Sequence, residues 1–307
     1  MLEIETLLPE IFAIFEKAGQ AVLAIRESKS DLGEVVKNED GYESVFTIAD
    51  LASDQVLYEG LTALTPGVPV ISEENVYDEI KKYALHDLTK GYFWIIDPID
   101  GTNHFRKGRN SWAVLGALIL DGAPVFGIVY RPAPTVHGYY AVKGKGAYKF
   151  QGSIENAEKI SKEKRDFRAG IRLGFEIGYF DPARILDQFG DVPIANRTEL
   201  ETDIQNGFTE LSAYTCCLIA EGKVDFSAFP MDKCAAGEWD VAPVALILEE
   251  TGGYLRHFDN QPVKFGTPDK KVEPTIAYND PQLFELYQRH LFASYSYENR
   301  VFIKKEP

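Results

Sequence analysis

From Tyr92 to Ile96 the chain is unbroken apolar sequence, and it stops at Asp97-Pro98-Ile99-Asp100-Gly101-Thr102. Such a run, closed by Pro and then Asp-Gly, reads as a buried strand ending in a turn. Two carboxylates therefore sit at a strand's C-terminal end, where open α/β sheets bind their ligands. Two unit charges about 4 Å apart repel by roughly 4 kcal/mol at an effective dielectric of about 20, so the pair needs cations or a shared proton. A hard divalent metal is the simplest partner. Two other uses of such acids fail on spacing. An aspartyl nucleophile in the order Asp-x-Asp-Gly-Thr needs an acid where Pro98 stands, and an EF-hand loop is broken by Pro98, Ile99 and Gly101.

The 307 residues exceed the usual size of one core, which predicts one large or two intimately packed domains, divided here as 1–150 and 151–307. The 45% hydrophobic content supports a substantial interior rather than disorder. A net charge of −15 argues against nucleic-acid duplexes and anionic membranes as partners, since both are gripped by basic surface. Bound metal ions can still invert the local field and admit a phosphate. The acidic start Met1-Leu2-Glu3-Ile4-Glu5 lacks the basic opening of a secretory signal, and the longest apolar run, Trp112 to Leu120, is about half a membrane span. Cys216, Cys217 and Cys234 show no Cys-x-x-Cys pairing and read as buried thiols in a reducing compartment. A soluble, cytoplasmic protein is the expectation.

Leu7, Ile11, Ile14, Phe15, Ala18, Val22 and Ile25 recur at helical spacing and predict a long first helix. Residues 28–43 read as a mobile loop or a loose hairpin. A second helix follows from Phe46, with Ala49, Ala52, Val56, Leu57, Leu61 and Leu64 on one face; Asp50 near its start could simply favour the helix dipole. Val68 to Ile71 is a short strand ending in Ser72-Glu73-Glu74, a pair of acids that is ordinarily a solvated surface. Asn110–Leu120, Pro124–Arg131 and Val136–Val142 predict an antiparallel meander. Residues 151–168 read as a polar connection. Beyond it come a strand over 168–173, helices over 182–189 and 211–221, a strand over 224–229, and a helix from about Trp239 to Thr251. Ala277 to Asn279, a helix over 281–292 and a hint of strand at Val301 to Ile303 complete the chain. Strands alternating with helices indicate α/β architecture.

The order Asp97-Pro98-Ile99-Asp100-Gly101-Thr102 with Phe105 resembles the signature of the inositol monophosphatase superfamily. Trp239-Asp240-Val241-Ala242, followed by Glu250-Thr251-Gly252-Gly253, resembles that family's second signature, and Thr47-Ile48-Ala49-Asp50 and Ser72-Glu73-Glu74 resemble its remaining acidic elements. The likeness spans roughly residues 45 to 255. It implies an α/β (α+β) fold, the αβαβα layered sandwich of inositol monophosphatase type, with the site between an N-terminal α+β half and a C-terminal α/β half. It also implies a lithium-sensitive phosphomonoesterase using two or three Mg²⁺ ions. By resemblance, Glu73, Asp97 and the carbonyl of Ile99 hold one metal, and Asp97, Asp100 and Asp240 a second. Asp50 acts through water on a third metal or on the nucleophile, and Thr102 shares that task with Glu73 or Asp50. The amides of Gly101 and Thr102 hold the phosphate at a helix start.

Substrate contacts are expected from Asn103, His104 and Lys233. Lys233 stands seven positions before Asp240, where inositol-specific enzymes carry an acid that touches the polyol. Asn103-His104 replaces the family's frequent Thr-Asn. Glu238-Trp239-Asp240 is as similar to bisphosphate nucleotidases as to inositol phosphatases. The family resemblance ranks a polyol or sugar phosphate first, the departures at Lys233 and Asn103-His104 count against inositol itself, and 3'(2'),5'-bisphosphorylated nucleotide and histidinol phosphate are the alternatives. A catalytically silent phosphate-binding protein of the same fold is the non-enzyme alternative. Arg106, Lys107 and Arg109 form a basic cluster, either a solvated turn or a docking point for a second substrate anion. A homodimer is a family expectation.

Overall fold

A computed structural model describes residues 2–28, 32–39, 42–74, 88–162, 165–174, 192–199, 212–229, 236–268, 270–290, 295–296 and 301–302. Its centre is a seven-stranded sheet in the order β3-β4-β5-β6-β7-β8-β9. Here β3 is Val70–Ser72, β4 Tyr92–Asp100, β5 Ala113–Leu120, β6 Ala123–Arg131, β7 His137–Val142, β8 Gly146–Gln151 and β9 Ser153–Lys159. Only β3 runs parallel to its neighbour; from β4 onward each strand pairs antiparallel with the next.

Both faces of this sheet are buried, which is why β4 and β5 read as continuous apolar runs. Trp94, Ile96, Val114, Leu118, Phe126 and Ile128 pack against Ile11, Phe15, Ala18 and Val22 of α1 (Ile4–Ser28) and Leu57 and Leu61 of α2 (Ile48–Leu64). Phe93, Ile95, Leu115, Ala117, Ile119 and Val129 point the other way, toward a layer of two helices, to be labelled α4 (Ser212–Ala220) and α5 (Glu238–Glu250) after the short α3 (Thr102–Arg106). The helices lie close. A Cβ on Gly116 would meet Phe15 Cζ at 2.4 Å, and one on Gly127 would meet Pro243 O at 2.5 Å. Those two glycines set the sheet-to-helix spacing on opposite faces.

A second, three-stranded sheet covers the far side of α4 and α5, in the order β10 (Phe226–Phe229), β14 (Thr275–Tyr278), β12 (Tyr254–His257). Leu255 and Ala277 join the core beneath the helices, while Ile276 and Tyr278 face Leu283 and Phe284 of α6 (Pro281–His290). The layers are therefore helix, sheet, helix, sheet, helix, as the resemblance implies. Short pairs complete the described elements: β1 (Val35–Glu39) with β2 (Tyr42–Phe46), β11 (Ala236–Gly237) with β13 (Lys271–Val272), and β15 (Tyr295–Ser296) with β16 (Val301–Phe302).

Several expectations change. Of the stretch over 28–43, the described residues favour the hairpin alternative: Val35–Glu39 pairs antiparallel with Tyr42–Phe46. The polar connection over 151–168 is in part the edge strand β9, so the first sheet runs on to Lys159, past residue 150. Its polarity misled because an edge strand with Glu155, Asn156, Glu158 and Lys159 exposed carries no apolar run. The strand over 168–173 is a 3₁₀ turn, Phe167–Ala169, followed by isolated bridges at Ile171 and Leu173. The helix over 182–189 lies outside the described residues. Among the described residues no helix is long and apolar enough to cross a membrane.

Candidate active site

Asp97 and Asp100 stand three residues apart, a separation that in a regular strand would turn them to opposite faces. Yet Asp97 pairs with Leu115 and Asp100 with Ala113, and the register shifts between them. One extra residue on β4 restores parity, so both acids lie opposite residues of one face, the face under α5. Pro98 has no N–H to give a ladder, which suits it to the irregularity. Asp97 Oδ1 accepts the Ile99 N–H at 2.9 Å, and buried Ser53 of α2 donates to the Pro98 carbonyl at 2.9 Å.

The third acid arrives from α5. Asp240 is the third residue of that helix, and its Oδ2 accepts the Gly237 N–H at 2.8 Å. Capping accounts for that oxygen and agrees with an ordinary helix-start acid. The structure adds a second fact: Asp97, Asp100 and Asp240 offer oxygens that all lie within 4.8 Å of one another. Glu73 joins from the turn that follows β3. Ser72 pairs with Ile96 and the Glu73 N–H donates to the Ile96 carbonyl at 3.2 Å, so the parallel ladder carries Glu73 alongside Asp97.

Burial, and after it the charge of Asp240, pushes the Glu73 carboxyl well above the usual carboxylate range. Burial, then Glu73, Asp240 and Asp100, does the same to Asp97, and burial pushes Asp240 up to about 6. Crowded, buried acids of one sign resist ionising together unless a cation is shared. Carboxylate oxygens at this spacing are the donor set a hard divalent ion prefers, so these residues fit Mg²⁺.

Asp50 serves two partners. Its Oδ2 accepts the N–H and the hydroxyl of Thr47, both at 2.7 Å, closing a capping box at the start of α2. Its Oδ1 lies 3.1 Å from the Thr102 hydroxyl, which also lies 3.0 Å from the Ile99 carbonyl. One hydroxyl proton faces two acceptors. Burial raises the Asp50 carboxyl above its usual range against the hydrogen bonds from Thr47 and Thr102. Gly101, at φ 86°, supplies the left-handed turn from β4 into α3.

The structure thus gathers Asp50, Glu73, Asp97, Ile99, Asp100, Gly101, Thr102 and Asp240 at one end of the first sheet. Asn103 is exposed on α3 and accepts from Arg106 at 3.1 Å, while His104 is half-buried there. Lys233 lies outside the described residues. Two positioning residues escaped the sequence reading. Ser53 follows Asp50 by one helical turn, a legible spacing. Glu238, wholly buried, accepts the N–H of Gly266 at 2.8 Å, the N–H of Thr267 at 2.7 Å and the Thr267 hydroxyl, and so ties the start of α5 to a distant loop. No local signal announces that contact.

The model of the inositol monophosphatase family matches residues 5–291. The chain belongs to the inositol monophosphatase family. The protein is accordingly a phosphoric monoester hydrolase, of a family that acts on small phosphorylated substrates. It is 29% identical over 238 residues to the 3'(2'),5'-bisphosphate nucleotidase CysQ of Aggregatibacter actinomycetemcomitans, covering 78% of this chain and 81% of that one. It is 29% identical to the histidinol-phosphatase of Mycobacterium tuberculosis, over 69% of this chain and 74% of that one. Among solved structures, CysQ of Bacteroides thetaiotaomicron, a bacterial member of the inositol monophosphatase family, superposes with a TM-score of 0.67 at 24% identity. That superposition spans 91% of this chain and all of the other. At that identity the superposition speaks for the inositol monophosphatase fold.

Proposed function

We propose that the protein hydrolyses a small phosphate monoester with two or three Mg²⁺ ions held by Glu73, Asp97, Asp100, Asp240 and the Ile99 carbonyl. The observation that carries this reading is the approach of Asp97, Asp100 and Asp240 to within 4.8 Å of one another, at the strand end that also carries Thr102. Bound divalent ions supply electrophilic stabilisation of the phosphoryl oxygens and a lower pKa for the attacking water. The rest falls to the chain. The Thr102 hydroxyl takes a proton from that water as it hands its own to Asp50 Oδ1, 3.1 Å away, so the water is deprotonated and Thr102 stays neutral. Burial raises the proton affinity of Asp50, which suits an acceptor. The amides of Gly101 and Thr102 hold the phosphate. As the water oxygen bonds to phosphorus the ester P–O bond breaks, and the leaving oxygen takes a proton from solvent.

The substrate class proposed is a 3'(2'),5'-bisphosphorylated nucleotide, ahead of the polyol or sugar phosphate that the family resemblance ranks first. The name of the Aggregatibacter relative supports this order, as does Lys233 in place of a polyol-binding acid, with Asn103 and His104 as further substrate contacts. Histidinol phosphate is the second reading, supported by the mycobacterial relative. The Thr102–Asp50 pair weighs against a silent binding protein, which needs no proton acceptor. Free, buried Cys216 and Cys217 agree with a cytoplasmic setting, and the family resemblance supports a homodimer. A kcat/KM panel of 3'-phosphoadenosine 5'-phosphate, inositol 1-phosphate, fructose 1,6-bisphosphate and histidinol phosphate, with and without Mg²⁺, tests the reading. Magnesium-independent turnover, or full activity in excess lithium, would count against it.

A further inference from the structure

Glu238, the first residue of α5, and Lys270, the residue before β13, are both wholly buried. Their charged ends lie 3.9 Å apart. Glu238 also accepts the N–H of Gly266 and the N–H and hydroxyl of Thr267, while its own N–H donates to the Lys270 carbonyl at 2.8 Å. The Lys270 ammonium donates to the Thr267 carbonyl. Lys270 takes the left-handed backbone, φ 54°, a conformation rare for a residue with a side chain and kept only where its surroundings over-determine it. An ion pair taken wholly out of water adds little stability, because desolvating two charges offsets their attraction; what such a pair can supply is a fixed arrangement.

The clasp reaches the acid cluster from two sides. On the α5 side, Gly237 pairs with Lys271 across β11 and β13, and the Gly237 N–H is the donor that Asp240 Oδ2 accepts at 2.8 Å. On the sheet side, Lys270 Nζ stands 5.8 Å from the centre of the Phe93 ring, and a Cβ on Gly266 would meet the Leu88 carbonyl oxygen at 2.5 Å. Phe93 and Ile95 point toward α5, and the alternation of a strand puts Asp97 on that same face. Glu238 and Lys270 therefore span the start of α5 and the strand that carries Asp97 and Asp100.

We propose that Glu238, paired with Lys270, is a positioning residue for Asp240: it sets the start of α5 so that Asp240 reaches the divalent ion shared with Asp97 and Asp100. That role rests on the metal-dependent phosphomonoesterase reading above and deepens it, by giving part of the site's metal affinity to two residues that are not ligands. Groups that orient metal ligands from behind contribute about 10–100-fold to metal affinity. Glu73 and the Ile99 carbonyl come from other elements, so the ion they hold does not depend on the clasp.

Titration of the full chain with Mn²⁺, a paramagnetic stand-in for Mg²⁺, followed by electron paramagnetic resonance of the free ion, tests the role alongside the rise of Tm on adding Mg²⁺. Glu238→Gln/Lys270→Met removes both charges at nearly constant volume, so neither is left buried alone. This variant is expected to weaken one class of Mn²⁺ sites about tenfold or more, to leave the other nearly unchanged, and to shrink the Mg²⁺-induced rise of Tm. Thr267→Val, which removes one donor and no charge, is expected to weaken the same class by a smaller factor. Gly116→Ala strains the opposite face of the sheet and controls for lost stability alone; it should leave both classes unchanged. Unaltered Mn²⁺ binding in the double variant overturns the proposal, as does equal weakening of both classes or a loss that Gly116→Ala reproduces. Should the double variant fail to fold, Thr267→Val decides by the same criterion. A wild-type chain that binds no Mn²⁺ overturns the metal-dependent reading itself, whereas wild-type binding that the clasp variants leave unaltered removes only the role of Glu238.

Discussion

The hydroxyl of Thr102 and the carboxylate of Asp50 meet at 3.1 Å across 52 residues of sequence, one from the turn after β4 and the other from the first turn of α2. The contact joins the two elements on which the proposed proton transfer depends. Thr102→Ala is expected to lower kcat by about 10²-fold or more with KM changed little, since general-base assistance contributes about 10²–10⁴. Thr102→Ser, which keeps the hydroxyl, should recover most of the rate. Steady-state kinetics on the two variants decide the point; an Ala variant as fast as wild type would remove Thr102 from the reaction.

Asp97 sits between Glu73 and Asp240, so its removal separates metal binding from folding. Asp97→Asn should abolish nearly all turnover while the protein stays folded, because the Ile99 N–H keeps an acceptor in the amide oxygen. Wild-type Tm should rise on adding Mg²⁺, by the equivalent of about 2.7 kcal/mol at a hundredfold excess over Kd. In the variant the rise should shrink sharply. Thermal melts with Mg²⁺ and with a chelator measure this without reference to activity.

Packing around the first sheet gives a stability test. A methyl on Gly116 runs into the Phe15 ring, a side chain, whereas one on Gly127 runs into the backbone of Pro243. Overpacking costs about 1–3 kcal/mol. Gly116→Ala should therefore be relieved in large part by Phe15→Leu, while Gly127→Ala should find no such rescue. Denaturant midpoints of the singles and the Gly116→Ala/Phe15→Leu double check the difference.

Asp225 supplies the pH prediction. Its wholly buried carboxylate accepts the Arg172 N–H at 2.8 Å, the Arg172 guanidinium at 2.9 and 3.2 Å, Asn279 at 3.1 Å, and Arg165. Burial pushes the carboxyl upward, but the bonds from Arg172 and Asn279 outweigh it, and the group is held below its ordinary range. A depressed carboxyl adds stability above its unfolded pKa of about 3.9 and loses it as pH falls through that value toward the folded one. Wild-type stability should thus drop with acid below about pH 5. Asp225→Asn should cost about 3 kcal/mol at pH 7, and the cost should shrink as pH falls below about 3.9. Urea melts across pH follow the gap, and a gap that stays constant would refute the assignment.

Much of the candidate site is legible in the linear chain because its acids sit at boundaries that local chemistry marks. Asp97 and Asp100 end an apolar run, Glu73 follows a short strand, and Asp50 and Asp240 occupy the first turns of helices that hydrophobic spacing reveals. Edge strand β9 was not legible, since a strand with Glu155 and Glu158 at the surface carries no apolar signal. The clasp of Glu238 on Gly266 and Thr267 was not legible either, since its ends are 28 and 29 residues apart with nothing local to mark them.

The sequence alone determined which residues are acids at element ends, that the interior is large, and which family's order of motifs the chain follows. Tertiary structure decided whether those acids meet. A three-residue spacing in a strand should have sent Asp97 and Asp100 to opposite faces, and only the register shift against β5 turned both toward Asp240. That shift belongs to the pairing of two strands, and α5 reaches the same end only because Gly127 lets it approach the sheet. Facing, approach and charge coupling are relations between elements, whereas a one-dimensional pattern fixes only what each element is made of.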